Sequence, residues 1–147
     1  METNSKPETE LIRAEIDVGC AVIYRQGKLL IAQRRPGDTL GGFWEFPGGK
    51  LDCGETLEAC IAREVREELA VTVKAKRLIK SVTHDYPAKR IRLHFFICDF
   101  LYGEPVKHEC MDARWVALED LRNYTFPPAD RDLLNDLVER RLYYFGG

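Results

Sequence analysis

The sequence holds no apolar run long enough to cross a membrane, and its first residues, METNSKPETELIR, are polar and carry no signal-peptide core. Both absences set the expectation of a cytoplasmic protein with no membrane partner. A basic excess is missing too. The formal charge of −2 and the pI near 6.0 argue against a general nucleic-acid binder and so against a nucleic acid polymer as partner. Small anionic substrates stay open, because a bound metal and a few local cations can supply the positive field. Cys20, Cys53, Cys60, Cys98 and Cys110 are odd in number and form no CxxC pair, which favours reduced thiols over disulfides or a zinc site. Cys60 and Cys98 read as core fillers, whereas Cys53 and Cys110 fall in loops and receive no role. His84, His94 and His108 offer no pair at metal spacing and receive none either. Repeats and low-complexity segments are absent.

What is present fits one domain. The 147 residues, 45% hydrophobic and 31% charged, suffice for a real core. Residues 1–13 read as a flexible tail and 14–147 as the domain. Ile16 to Tyr24 is β-rich, Gln26-Gly27 is a turn and Leu29 to Ala32 is a second strand. Arg34 to Gly42 reads as a loop opened by two arginines, and Phe43 to Phe46 as a short aromatic strand. Val71 to Val82 and Ile91 to Leu101 read as an antiparallel pair joined across Asp85 to Lys89. Ala113 to Val116 is a further strand and Leu118 to Leu121 a helical turn. From Pro128 to Phe145 the pattern predicts one amphipathic helix with Leu134, Leu137, Val138, Leu142 and Phe145 along one side. That helix either covers a sheet or joins two copies, so monomer and homodimer are both open. The element order gives an α+β domain, a mixed sheet with helices on its faces.

The chemistry concentrates between Gly49 and Val71. Glu64, Glu67 and Glu68 are spaced i, i+3, i+4, and a helix brings all three to one face. Carboxylates crowded in this way repel one another unless a cation lies among them, and an all-oxygen donor set suits magnesium or manganese better than zinc. Thr56 can cap the helix, Glu58 suits its positive end, and Ile61, Val65 and Leu69 form an apolar stripe beside the glutamates. Arg63 stands within reach of Glu64 or Glu67 and can fix a carboxylate. A glutamate pair alone is most often a solvated helix face. It is the whole arrangement that argues otherwise.

That arrangement resembles the signature of the Nudix hydrolases: Gly49, Glu55, Arg63-Glu64, Val65, Glu67-Glu68, Ala70 and Val71. Every fixed position matches except Ala70, where the family has the glycine that ends the helix in a left-handed conformation. A second stretch, Trp44-Glu45-Phe46-Pro47-Gly48-Gly49-Lys50, is similar to that of the MutT group of nucleotide-cleaning pyrophosphohydrolases. The likeness runs from about Ile16 to about Leu137 and implies the α/β/α Nudix sandwich.

By this resemblance the Gly48 carbonyl, Glu64, Glu67 and Glu68 are the magnesium ligands, with Mn2+ a possible substitute. Glu55 supports the cluster through water, and Glu109 is a further acidic residue facing the metals. Catalysis falls to Glu64 or Glu109 as the base that accepts water's proton, with Arg63 and Glu55 beside them. Arg35 resembles a phosphate-contacting arginine; Glu45, Phe46, Pro47, Gly48, Lys89 and Asp130 border the substrate. The implied reaction is attack of water on the β-phosphorus of a nucleoside triphosphate, releasing a nucleoside monophosphate and pyrophosphate. MutT reads oxidised guanine through an asparagine at the position that Asp130 occupies here. The main expectation is sanitation of 8-oxo-dGTP, a form of DNA repair at the nucleotide pool. A Pro-Ala-Asp segment, Pro128-Ala129-Asp130, also resembles the CTP pyrophosphohydrolases of the same group. CTP, dCTP or a modified pyrimidine triphosphate is therefore the alternative. A nucleotide-binding module that has lost catalysis is the reading from another class, disfavoured because all three glutamates remain.

Overall fold

The computed structural model describes residues 14–146; the flexible tail expected over residues 1–13 lies outside them. The described residues begin with β1 (Ala14–Arg25) and β2 (Lys28–Gln33), an antiparallel hairpin in which Tyr24 faces Leu29. Gln26 and Gly27, with φ of 51° and 84°, make its two-residue turn, the left-handed pair whose twist suits right-twisted strands. β3 (Trp44–Glu45) and β4 (Gly48–Lys50) are short, because Pro47 and the glycines around it bend the backbone. After α1 (Leu57–Leu69) come β5 (Thr72–Asp85) and β6 (Lys89–Tyr102), then β7 (Asp112–Ala117) and a 3-10 segment, Leu118–Asn123. The β5–β6 ladder reaches further than the sequence suggests, to a tight turn closed by Tyr86 and Lys89, with register shifts near Thr72, Ala75 and Leu78.

All seven strands among the described residues join one sheet in the order β3-β2-β1-β6-β5, with β4 on β1 and β7 on β2. The β1–β6 pairing is parallel and the others are antiparallel, so the sheet is mixed as expected. Alternation along the central strands separates two cores. Cys20, Val22, Leu29 and Ile31 face Leu133, Leu134 and Leu137 of α2 (Pro128–Glu139). Ala21, Ile23, Leu30 and Ala32 face Ile61, Val65 and Leu69 of α1. The result is a helix–sheet–helix sandwich.

The single terminal helix expected from the pattern is broken. Arg140 leaves helical geometry at φ −114°, ψ 36°, and a separate α3 (Arg141–Phe145) follows. The break lets the Phe145 ring stack on Tyr24 at 4.3 Å and 8°, while the Tyr144 hydroxyl donates to Asp136. A straight helix would have kept Leu142 on the apolar side; here it is 70% exposed.

Candidate active site

Glycine lets three elements meet at the site. Gly49 pairs with Gly19 across β4 and β1. A β-carbon on Gly19 would stand 2.8 Å from Ile61 Cγ1, and one on Gly49 would stand 2.3 Å from Glu64 Cδ. α1 therefore lies on the β4–β1 pair closely enough to press Glu64 against the strand. Thr56 caps the helix by accepting from the Ala59 N–H. At the other end Ala70 itself adopts the left-handed conformation, φ 57° and ψ 32°, and its N–H donates to the Arg66 carbonyl. The departure from glycine leaves the cap geometry intact, at a strain of about 1 kcal/mol.

Arg63 ties the carboxylates together. It grips Glu55 with Nε at 2.5 Å and Nη2 at 2.9 Å, donates from Nη1 to Glu64 at 3.0 Å and Glu67 at 3.2 Å, and reaches the Lys50 carbonyl. The Arg63 hydrogen bonds, helped by the Asp52 N–H, hold the Glu55 carboxyl well down, at about 2. Glu55 is joined to Glu64 and Glu67 through its fork onto Arg63.

Glu68 is the exception in the group. It is buried, it accepts from the Gly48 N–H, and its Oε1 has no hydrogen-bond partner. Burial first, then the charges of Glu45, Glu64 and Glu109, push its carboxyl up to about 8 against that hydrogen bond. Glu64 is raised as well, by burial and by Glu67 and Glu109, despite Arg63. An orphaned buried carboxylate oxygen among further carboxylates, beside the Gly48 backbone, is an arrangement that a hard divalent cation would relieve. The residues present fit such an ion. Among the described residues no three acidic, cysteine or histidine side chains already converge on one point, since Glu64 and Glu67 are turned onto Arg63.

Glu109 belongs to the segment between β6 and β7, which is docked on the end of α1: Val106 donates to the Leu69 carbonyl and His108 to that of Glu68. Its charge is felt at both Glu64 and Glu68. Arg35 Nη2 donates to the His108 carbonyl at 2.6 Å.

On the α2 side, Phe46 is buried against Phe95 and Phe126, with ring centroids 5.8 and 5.3 Å away. The Pro47 carbonyl accepts from Ala21. Glu45 pairs with Arg34 at 2.9 Å, yet burial still raises its carboxyl. Asp130, in the first turn of α2, is buried and pushed up to about 7 by burial and by Glu45. Lys89 stands apart. It sits in the β5–β6 turn over the Tyr86 ring, five residues from His94, which is level with Gly19. At about 3.3 Å per residue that is roughly 17 Å along the strand.

The sequence reading missed two partners. Arg34, not Arg35, neutralises Glu45, and the adjacency of the two arginines hid which one turns inward. Cys20 shares the field of Asp130 and Glu45, a position that alternation along β1 already gives it. Two cavities, of about 420 Å³ beside Tyr24 and Arg141 and about 340 Å³ beside Tyr124 and Arg131, contain none of the acidic cluster.

A family model described as NUDIX domain matches residues 19–136. The chain belongs to the Nudix family. An 8-oxo-dGTP diphosphatase from Haemophilus influenzae is 33% identical over 124 residues, 84% of this chain and 91% of that one. A CTP pyrophosphohydrolase from Escherichia coli is 32% identical over 126 residues, 86% and 93% of the two. Among solved structures, the E. coli ORF135 protein superposes with TM-score 0.79 at 30% identity, covering 92% of this chain and 96% of that one. A MutT protein from Methanosarcina mazei gives 0.75 at 26%, covering 88% and 96%. This Nudix chain is thus similar to enzymes named for both of the substrates its sequence brings to mind. No described helix is long and apolar enough to cross a membrane.

Proposed function

We propose that this Nudix enzyme is a magnesium-dependent pyrophosphohydrolase of nucleoside triphosphates, in the cytoplasm, acting on oxidised purine nucleotides such as 8-oxo-dGTP. The observation that carries the reading is the buried, unpartnered Glu68 Oε1, in a carboxyl that feels the charge of Glu64 and lies beside the Gly48 backbone. Glu64, Glu67, Glu68 and the Gly48 carbonyl hold the metal, for which manganese can substitute. When bound, the cation offsets the charge of the polyphosphate and makes water a better nucleophile.

The chain's own residues do the rest. Arg63, braced by Glu55, sets the direction of Glu64 and Glu67. Glu64 or Glu109 accepts the proton of the water that attacks the β-phosphorus, and the products are a nucleoside monophosphate and pyrophosphate. Arg35 meets the phosphates. Phe46 supplies an apolar wall for the base, and Asp130 supplies its polar contact. With its carboxyl raised to about 7, Asp130 exists in both forms near neutral pH and can donate as well as accept. That property supports an oxidised guanine in place of the amide found in MutT.

A second reading rests on the same residue. An ionised Asp130 matches the exocyclic amino donor of cytosine, and the related CTP pyrophosphohydrolase supports CTP as the alternative. Pyrophosphate release from a panel of nucleotides, with and without Mg2+, separates the two. Faster turnover of 8-oxo-dGTP is expected, a clear preference for CTP would move the assignment to the second reading, and no turnover of any nucleotide would end both.

A further inference from the structure

Glu109 has no secondary structure of its own to hold it. It lies in the connection 103–111 between β6 and β7, and three backbone donors secure that connection: Val106 to Leu69 at 2.9 Å, His108 to Glu68 at 3.2 Å and Met111 to Gln33 at 2.9 Å. All three hold the N–H side of the chain. A further contact comes from outside, where Arg35 Nη2 donates at 2.6 Å to the carbonyl of His108. That carbonyl belongs to the peptide unit joining His108 to Glu109. Because the unit is planar, fixing its oxygen also fixes the amide and the Cα of Glu109, the points from which its side chain departs.

We infer that Arg35 is a positioning residue for Glu109: before any nucleotide binds, its guanidinium clamps the 108–109 peptide and so keeps Glu109 near Glu64 and Glu68. The inference rests on the proposed metal site but adds to it, since a phosphate-contacting arginine has no task in the nucleotide-free protein. A clamp on the loop does.

The two roles predict opposite signs. Arg35 is a positive charge in the neighbourhood of Glu68, whose carboxyl and Arg35 both act on Cys110. Removing a cation near a cation-binding site strengthens metal binding if charge is all that matters. Removing a clamp that keeps Glu109 in place weakens it.

The experiment uses the full-length protein without nucleotide. Amide hydrogen exchange is followed in the metal-free state for wild type, Arg35→Ala and Arg35→Lys, and Mn2+ binding is then titrated in each. In Arg35→Ala, exchange across 103–111 is expected to speed up several-fold with the rest of the sheet unchanged. Its Mn2+ affinity is expected to fall several-fold, with Arg35→Lys intermediate. Unchanged exchange at 103–111, or Mn2+ bound as tightly as in wild type or more tightly, would overturn the inference. Wild type that binds no Mn2+ would instead overturn the metal-site reading, and the exchange comparison would still decide whether Arg35 clamps the loop.

Discussion

Gly49 and Glu64 touch across the junction of β4 and α1, so closely that any β-carbon at position 49 would overlap the Glu64 carboxyl carbon. The far end of a flexible glutamate can move away, whereas strand and helix cannot. Gly49→Ala is therefore expected to displace the Glu64 carboxylate, lowering kcat by about a hundredfold or more while the melting temperature changes little. Steady-state kinetics beside a thermal melt check this, and undiminished turnover would show that Glu64 needs no fixed position.

Glu67 and Glu68 are adjacent in sequence but differ in environment, Glu67 with a side chain 53% exposed and Glu68 buried. Both Glu67→Gln and Glu68→Gln are expected to abolish turnover. Only Glu68→Gln should alter stability. The Glu68 carboxyl in the folded protein, at about 8, lies above its ordinary value of 4.5, so the folded state holds the proton more tightly. Its stabilising contribution is full at low pH and is lost as pH rises between those two values. Without metal, wild type should melt lower at pH 8 than at pH 5 and Glu68→Gln should flatten that slope, while Mg2+ should raise the wild-type melting temperature at pH 8 and leave the variant where it was.

Asp130 gives a second pH dependence by the same sign. Its carboxyl rises from an ordinary 3.8 to about 7, so stability falls as pH climbs through that window. Asp130→Asn is expected to remove the dependence and to stabilise the protein at pH 8 by about 2 to 4 kcal/mol, because each tenfold gain in proton affinity on folding is worth about 1.4 kcal/mol. If Asp130 reads the base, the same variant shifts the ratio of 8-oxo-dGTP to CTP turnover by about tenfold. Denaturant melts and paired kinetics measure both effects.

Ala70 occupies a left-handed position that glycine takes without strain. Ala70→Gly should stabilise the protein by about 1 kcal/mol, a rise of roughly 3 °C in melting temperature for a domain of this size, with turnover unchanged. A drop in melting temperature would mean that the cap carries no strain.

Much of the fold could be read from local pattern. The Gln26-Gly27 turn, the Thr56 cap and the Ile61-Val65-Leu69 stripe each depend on neighbours within a few residues, and each stands where the pattern predicts. The terminal helix departs from its pattern for the opposite reason. Its break at Arg140 serves contacts to Tyr24, more than a hundred residues earlier, and no periodicity announces such a partner. The candidate site divides in the same way: the spacing of Glu64, Glu67 and Glu68 is a property of one helix, while the pairing of Arg34 with Glu45 is a property of the folded sheet. His94 is a further case. Unremarkable in sequence, it bridges Ser81 and Asp17 at 2.8 Å on each side and so joins β5, β6 and β1.

By itself the sequence determined the Nudix motif, the helix that carries three carboxylates on one face, and the alternation that builds a two-sided sheet. Each follows from the repeat of a single element, 3.6 residues for a helix and two for a strand. Only the tertiary structure decided that Glu68 is buried while Glu67 faces water, that Glu55 reaches the cluster through Arg63, and that Arg35 holds the peptide before Glu109. Burial and long-range hydrogen bonds depend on which elements pack together, and that information belongs to no single stretch of the chain.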